Sequence, residues 1–183
     1  MIVLETSIAG LRVVQSEPFI DVRGAFLRCY CVNELHDLIG HRTLKQINHS
    51  RTTNIGAIRG LHYQRSPHAE MKLVRCLAGR VLDIAIDLRK NSPTLFCWHA
   101  EELTPENTKM MVIPEGFAHG FQVLEPNSQL LYLHTECYCK IAEGMVRFDD
   151  PRIAIAWPLP PVDISDRDRM YPLLDNSFEG LDS

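Results

Sequence analysis

No stretch of this chain approaches the roughly 18 consecutive apolar residues of a membrane-crossing helix. Its start, Met1-Ile2-Val3-Leu4-Glu5, lacks the basic segment and apolar run of a secretion signal. Positive charge is not in excess either: 19 Lys and Arg stand against 23 Asp and Glu, for a net charge of -4. That balance gives no reason to expect nucleic acid or an anionic membrane as partner, so any anion site must be local. A soluble, cytoplasmic protein is expected. Internal repeats, low-complexity segments and linkers are also missing, and 183 residues suit a single domain over 1–183 with a sizeable core.

Cysteine is present but in an unusual arrangement. Cys29 and Cys31 flank Tyr30, Cys137 and Cys139 flank Tyr138, and Cys76 and Cys97 stand alone. On a strand both members of a C-x-C pair face one way, so two pairs offer the four thiolates of a zinc site. Structural zinc sites usually place their cysteines in turns at wider spacing, and reduced cysteines are common packing residues in the cytosol. The reading is therefore packing thiols and no metal.

Helical periodicity is scarce, whereas alternation of period two is widespread. In Val81 to Leu88, Leu82, Ile84, Ile86 and Leu88 share one face and Asp83, Ala85 and Asp87 the other. This predicts a half-buried strand with a polar side able to line a cavity. Further strands are expected at Leu11 to Val14, Gly24 to Cys31, Leu44 to Ser50, Ala57 to Gln64, Lys72 to Ala78, Cys97 to Leu103, Met110 to Ile113, Gly120 to Leu124, Leu130 to Glu136 and Ile153 to Ala156. Gly and Pro punctuate them. Many short strands at such spacing argue for an all-β sandwich or barrel, with a jelly roll as the expected form. Short helices are expected at Val32 to Leu38 and, capped by Ser165, at Asp166 to Met170. The Pro-rich end from Pro158 to Ser183 reads as a wrapping tail with frayed last residues.

The richest chemistry lies in Arg59-Gly60-Leu61-His62-Tyr63-Gln64 and the following Lys72-Leu73-Val74. An Arg, a His and a Lys on short strands, beside a Gly that permits close backbone approach, can hold an anion, remove a proton and stabilise the charge that results. Taken alone, these three residues fit a solvated basic face equally well.

The order of motifs along the chain is more specific. Phe19-x-Asp21-x-Arg23-Gly24-x-Phe26, Gln46-x-Asn48-x-Ser50, the Arg59 and Lys72 segments, Asp83-x-Ala85-x-Asp87-x-Arg89, Ser92-Pro93-Thr94, Ile113-Pro114-Glu115-Gly116-Phe117-Ala118-His119-Gly120-Phe121, Tyr132 with Tyr138, Glu143-Gly144, Trp157-Pro158 and Ser165-x-x-Asp168 follow one another. Together they resemble the dTDP-4-dehydrorhamnose 3,5-epimerase family over roughly residues 2 to 175. The resemblance implies a cupin-type jelly roll with a few short helices. It also implies a homodimer whose N-terminal strands cross to the partner, with no metal and no cofactor, acting on a nucleotide-diphosphate sugar that carries a 4-keto-6-deoxyhexose.

A ketone at C4 acidifies the hydrogens on both neighbouring carbons. Inversion then needs a base, a group that holds the enolate oxygen, and an acid on the opposite face. By the resemblance, His62 is the base, Lys72 the enolate-stabilising cation, Tyr132 the acid and Asp168 the carboxylate that orients His62. Asp83 competes for that last role, and Asp166 is a weaker third. The same likeness assigns substrate binding to Arg23 and Arg59 at the diphosphate, to Gln46, Asn48, His119 and Tyr138 at sugar or phosphate, to Phe26 and Tyr138 at base or ring, and to Glu143 at a hydroxyl or base edge. Each residue has an ordinary surface or packing alternative.

The sequence departs from the family pattern at several points. Arg28 stands where Glu is usual, in a neighbourhood that serves the nucleotide, which puts the thymidine preference in question. Glu70 replaces Gln before Met71-Lys72, Ile47 replaces Asp, Leu133 replaces Lys and Phe148 replaces Trp. The alternatives are an epimerase that acts at one carbon or on a CDP- or GDP-linked ketosugar, a metal cupin with His62 and His119 as ligands, and a non-catalytic sugar-nucleotide binding module.

Overall fold

A computed structural model describes residues 1–182. Among them, thirteen strands and two short helices follow in the order β1 (Ile2–Glu5), β2 (Arg12–Gln15), β3 (Phe19–Asp21), β4 (Gly24–Phe26), α1 (His36–Ile39), β5 (Gln46–Thr52), β6 (Ile58–Gln64), β7 (Lys72–Ala78), β8 (Val81–Asp87), β9 (Trp98–Leu103), β10 (Lys109–Ile113), β11 (Phe117–Val123), β12 (Ser128–His134), β13 (Glu143–Met145) and α2 (Asp166–Met170). One sheet has the order β1-β2-β10-β7-β12-β5 and the other β13-β6-β11-β8-β9; β3 and β4 form a separate hairpin. The two larger sheets pair their strands antiparallel and enclose a common core, which makes the fold the expected jelly roll.

Alternation decides which residues face inward. On β7, Val74 and Cys76 join the central cluster with Leu130 of β12, Met111 of β10, Ala85 of β8 and Phe121 of β11. Their neighbours Leu73, Leu133 and Met110 face the other way, against Leu35 and Ile39 around α1. The inner face turns polar towards one end, where the same alternation carries Lys72, Tyr132 and His134 inward. Strand β8 divides as its sequence predicts, with Ile84, Ile86 and Leu88 in an outer cluster and Asp83 and Ala85 inside. It is buried on both sides, however, and not half-buried, because Ile153, Ile155, Trp157, Leu174, Phe178 and Leu181 of the C-terminal segment cover the outer face.

That cover corrects two further expectations. The tail does not fray as far as Leu181, which bridges Arg89 and exchanges hydrogen bonds with Leu88 and Lys90 at 2.6 and 2.8 Å; Ser183 lies outside the described residues. Ile153 to Ala156 is not a strand, since Ile153 and Ala154 turn back on Asp150. Only Gly24–Phe26 of the expected strand to Cys31 is extended in a sheet, and the helix sits at His36–Ile39 where Val32 to Leu38 was expected.

Gly60 and Gly120 face one another where β6 and β11 pair across an irregular register. A Cβ on Gly60, whose φ is +120°, would lie 2.6 Å from the Gly120 Cα and 2.8 Å from the His119 oxygen. Only a bare backbone permits this approach, and it brings His62 and His119 into register on adjacent strands. Gly60→Ala should therefore lower stability by about 3 kcal/mol, through overpacking against backbone added to an unfavourable dihedral. Thermal and denaturant melts read this, and an unchanged midpoint would contradict it.

Candidate active site

The polar end of the barrel opens into a cavity of about 1140 Å³. Of the sequence-predicted residues, His62, Lys72, Tyr132, Asp168, Gln46, Asn48, Arg59, His119, Tyr138 and Glu143 line it. His62 projects from β6 in one sheet, and Tyr132 projects from β12 in the other. The two rings thus enter from opposing walls. Lys72 begins β7 and is buried, with its Nζ donating to the His62 carbonyl at 3.3 Å and paired with Glu70 at 3.1 Å.

The tail supplies the partner of His62. Ser165 caps α2 by accepting from the Asp168 N–H at 3.1 Å, so Asp168 sits in the first turn, 5 % exposed, with its carboxylate towards β6. His62 donates through Nε2 to Asp168 Oδ1 at 2.9 Å, and the Gly60 N–H reaches the other oxygen at 3.4 Å. This bond selects the tautomer that leaves the Nδ1 lone pair free to take a proton. Burial alone would lift the Asp168 carboxyl, but the His62 hydrogen bond and charge, with the Gly60 N–H, outweigh it and hold the group below the ordinary aspartate range.

Asp83, the competing orienter, serves another ring. It is fully buried and accepts from His119 Nε2 at 2.7 Å, while its second oxygen has no hydrogen-bond partner among the described residues. Burial pushes its carboxyl up, and His119 and Lys72 pull it back without reversing the shift. Asp166 is exposed at the start of α2. Tyr132 shares a hydrogen bond of 3.0 Å with the Ser50 hydroxyl and meets His119 edge-on, the centroids 6.1 Å apart. Burial raises its phenol well above the ordinary value, against the smaller pull of Ser50 and Arg59. It therefore stays protonated through neutral pH and is available as an acid.

Arg23 and Phe26 are not brought to this cavity. They line a separate hollow on the β3–β4 hairpin, where Arg23 forks onto Asp21, while Arg28 pairs with Glu34 at 2.5 Å. The hairpin stands clear of the barrel with Phe19, Ile20, Val22 and Phe26 exposed. Sequence reasoning missed Arg167, whose guanidinium holds Glu143 at 2.8 and 3.1 Å and approaches His62 Nε2 at 3.4 Å. It also missed His134 and, as a site residue, Glu70. The available signals were adjacency to Asp168 for Arg167 and the two-residue step from Tyr132 for His134. The C-x-C cysteines are dispersed: Cys137 is exposed, Cys29, Cys31 and Cys139 are partly buried, and all are free. Among the described residues no group of three or more His, Cys, Asp or Glu is gathered as a ligand set.

Known proteins match this chain over nearly its whole length. A family model described as dTDP-4-dehydrorhamnose 3,5-epimerase matches residues 5–176. A curated relative of that name from Salmonella typhimurium is 40% identical over 97% of this chain and 98% of its own. The crystal structure of the Elizabethkingia anophelis enzyme of the same name superposes with a TM-score of 0.91 at 35% identity, covering 97% of this chain and 98% of that one. A dTDP-6-deoxy-D-glucose-3,5-epimerase from Legionella pneumophila, solved with dTDP-4-keto-L-rhamnose, gives 0.91 at 35% identity over 99% and 98%.

The depressed Asp168 value carries a sign. A carboxylate with a lowered native pKa stabilises the fold above its unfolded value, near about 4, and that stability is lost as pH falls through the native value. Wild-type protein should thus be more stable than Asp168→Asn at pH 6, with the gap closing on acidification below about pH 4. Denaturant midpoints of both proteins across this range check it; a gap that widens in acid would be the wrong sign.

Proposed function

Because the chain belongs to the dTDP-4-dehydrorhamnose 3,5-epimerase family, we propose that it inverts C3 and C5 of a dTDP-linked 4-keto-6-deoxyhexose, with His62 as base, Tyr132 as acid, Lys72 as the partner of the ketone oxygen and Asp168 as the orienting carboxylate. The chain is an isomerase, and its substrate is a nucleotide sugar. His62 Nδ1 takes the proton from the carbon next to the ketone. The electron pair moves into the C4 carbonyl, and the Lys72 ammonium receives the developing negative charge. Tyr132 then returns a proton to the opposite face, and its raised pKa suits a weak acid facing a basic enolate carbon. Arg59, at the cavity wall with its Nε on the Thr52 hydroxyl, supplies its remaining N–H groups to diphosphate oxygens.

What supports this reading is that His62 and Tyr132 stand on opposite sheets and line one cavity together with Lys72. Deuterium uptake from heavy water tests it. Wild-type protein should exchange at both C3 and C5 of dTDP-4-keto-6-deoxyglucose, and exchange at one carbon only would reduce the activity to a single inversion. His62→Ala should slow exchange on the order of 10²- to 10⁴-fold. Tyr132→Phe should still exchange but accumulate substrate of retained configuration, since the enolate forms and only the base side can reprotonate it.

The hairpin belongs to the same proposal as the arm of a homodimer. An isolated two-stranded hairpin is marginal in water, and this one exposes four large apolar side chains. A second copy offers both a cover for these and a cavity for Arg23 and Phe26. Phe26→Asp should shift the mass measured by light scattering towards the monomer and raise KM. A monomeric wild type with full activity would remove the arm from the mechanism.

A further inference from the structure

Lys72 does not face the cavity alone. Glu70, two residues earlier on the chain, pairs with its Nζ through Oε1 at 3.1 Å, and the other carboxylate oxygen accepts from His134 Nδ1 at 2.7 Å. All three side chains are nearly buried, at 11, 8 and 9 % exposure. His134 is fixed from its other side by the Asn48 amide at 3.4 Å from Nε2, and its ring stacks on Tyr132 with centroids 6.2 Å apart. The Lys72 ammonium has three N–H donors. One goes to Glu70, one to the His62 carbonyl, and the third is left for a substrate oxygen.

A carboxylate beside the one cation that must stabilise an enolate is, by itself, a liability. Held only by Lys72 it would neutralise the ammonium and draw it away from the ketone. A second strong donor on the same carboxylate removes that demand. The Glu70 carboxyl remains ionised although buried, because burial, which would raise it, is outweighed by the His134 and Lys72 contacts.

We infer that Glu70 and His134 form a positioning pair for Lys72, in which the imidazole shares the carboxylate so that it orients the ammonium without capturing it. The inference rests on the epimerase reading above. Neither residue touches the reacting carbons; both act through the ammonium.

The test is a double-mutant cycle on the full-length protein with dTDP-4-keto-6-deoxyglucose. His134→Leu leaves Glu70 with Lys72 as its remaining strong donor, and kcat should fall on the order of tenfold with KM within about twofold. Glu70→Gln removes the anion and should stay within about threefold of wild type, and adding it to His134→Leu should restore kcat to that level. His134→Gln, which keeps an N–H donor, should recover most of the loss. A purely structural role predicts additive losses, so a double variant no better than His134→Leu overturns the proposal. Imidazole 15N NMR without substrate gives an independent reading should His134→Leu fail to fold. His134 should be the Nδ1–H tautomer in wild type, donating to Glu70 and accepting from Asn48 at Nε2; a wild-type Nε2–H tautomer also overturns the pair. A wild type inert towards the ketosugar would remove the epimerase reading and this kinetic role together. Normal kcat in every variant beside an active wild type removes this inference alone.

Discussion

Three imidazoles at the polar end of this barrel are each tied to a carboxylate: His62 to Asp168, His119 to Asp83 and His134 to Glu70, at 2.9, 2.7 and 2.7 Å. The constraint behind this is desolvation. An ionised group moved from water into a protein interior costs several kcal/mol even after relaxation, so a cavity that must carry charge can do so only with each charge matched. The three pairs answer it differently. Asp168 and Glu70 gather enough donors to keep their carboxyls below the ordinary range, whereas burial raises that of Asp83, which has one donor and an unpartnered second oxygen. The pair at the proposed base is thus one with a firmly ionised carboxylate, as an imidazole that must become an imidazolium requires.

That pair is also the one that the barrel cannot build from its own strands. Asp168 lies 106 residues from His62 and arrives on a short helix within the C-terminal segment. The segment is held by Trp157, Leu174, Phe178 and Leu181 packed over the outer face of β8, by the Trp157 indole bonded to the Phe148 carbonyl at 2.8 Å, and by the Leu181 bridge to Arg89. Apolar packing on the outside of one sheet therefore fixes a carboxylate at the mouth of the cavity, and the tightness of the wrap and the geometry of the base are one property.

How far the sequence discloses this follows from what alternation can say. Period two assigns a residue to a face, so the division of Val81 to Leu88 and the inward aim of Lys72 and Tyr132 are legible from local pattern. It does not say what covers a face. The outer side of β8 reads as solvent-facing or core alike until the tail is in place, and β1 and β13 are short enough that pairing alone makes them strands. Motif order indicates the residues of the site, yet it cannot choose between Asp83 and Asp168 as partner of His62. Both are acidic and both reach the cavity end; the choice is made by cross-strand register, which sets His119 opposite Ala85 and so diagonal to Asp83 on the same face, and by the Ser165 cap, which turns Asp168 to His62. Glu70 is visible as a departure from pattern, but its meaning depends on His134 across the β7–β12 ladder, where His134 stands in register with Lys72.

The hairpin marks the limit of reading one chain. Arg23 and Phe26 belong to the same run of motifs as the cavity residues, yet the β3–β4 hairpin carries them outwards, with Phe26 69 % exposed and Arg23 tied to Asp21. Sequence motifs record chemical association and are blind to which copy of the chain supplies the group. The physics that separates the two cases is burial. Lys72 and Asp168 sit in a polar pocket already enclosed by two sheets and a tail, so their cost of desolvation is met within the fold. Phe19, Ile20, Val22 and Phe26 have no such enclosure, and each fully buried side chain of this size is worth about 1.5–3 kcal/mol. In the proposed homodimer, a surface of the second copy that gathers them would lower the free energy of the arm and bring Arg23 within reach of a diphosphate in the same step, so assembly and completion of the substrate site would draw on one source of energy.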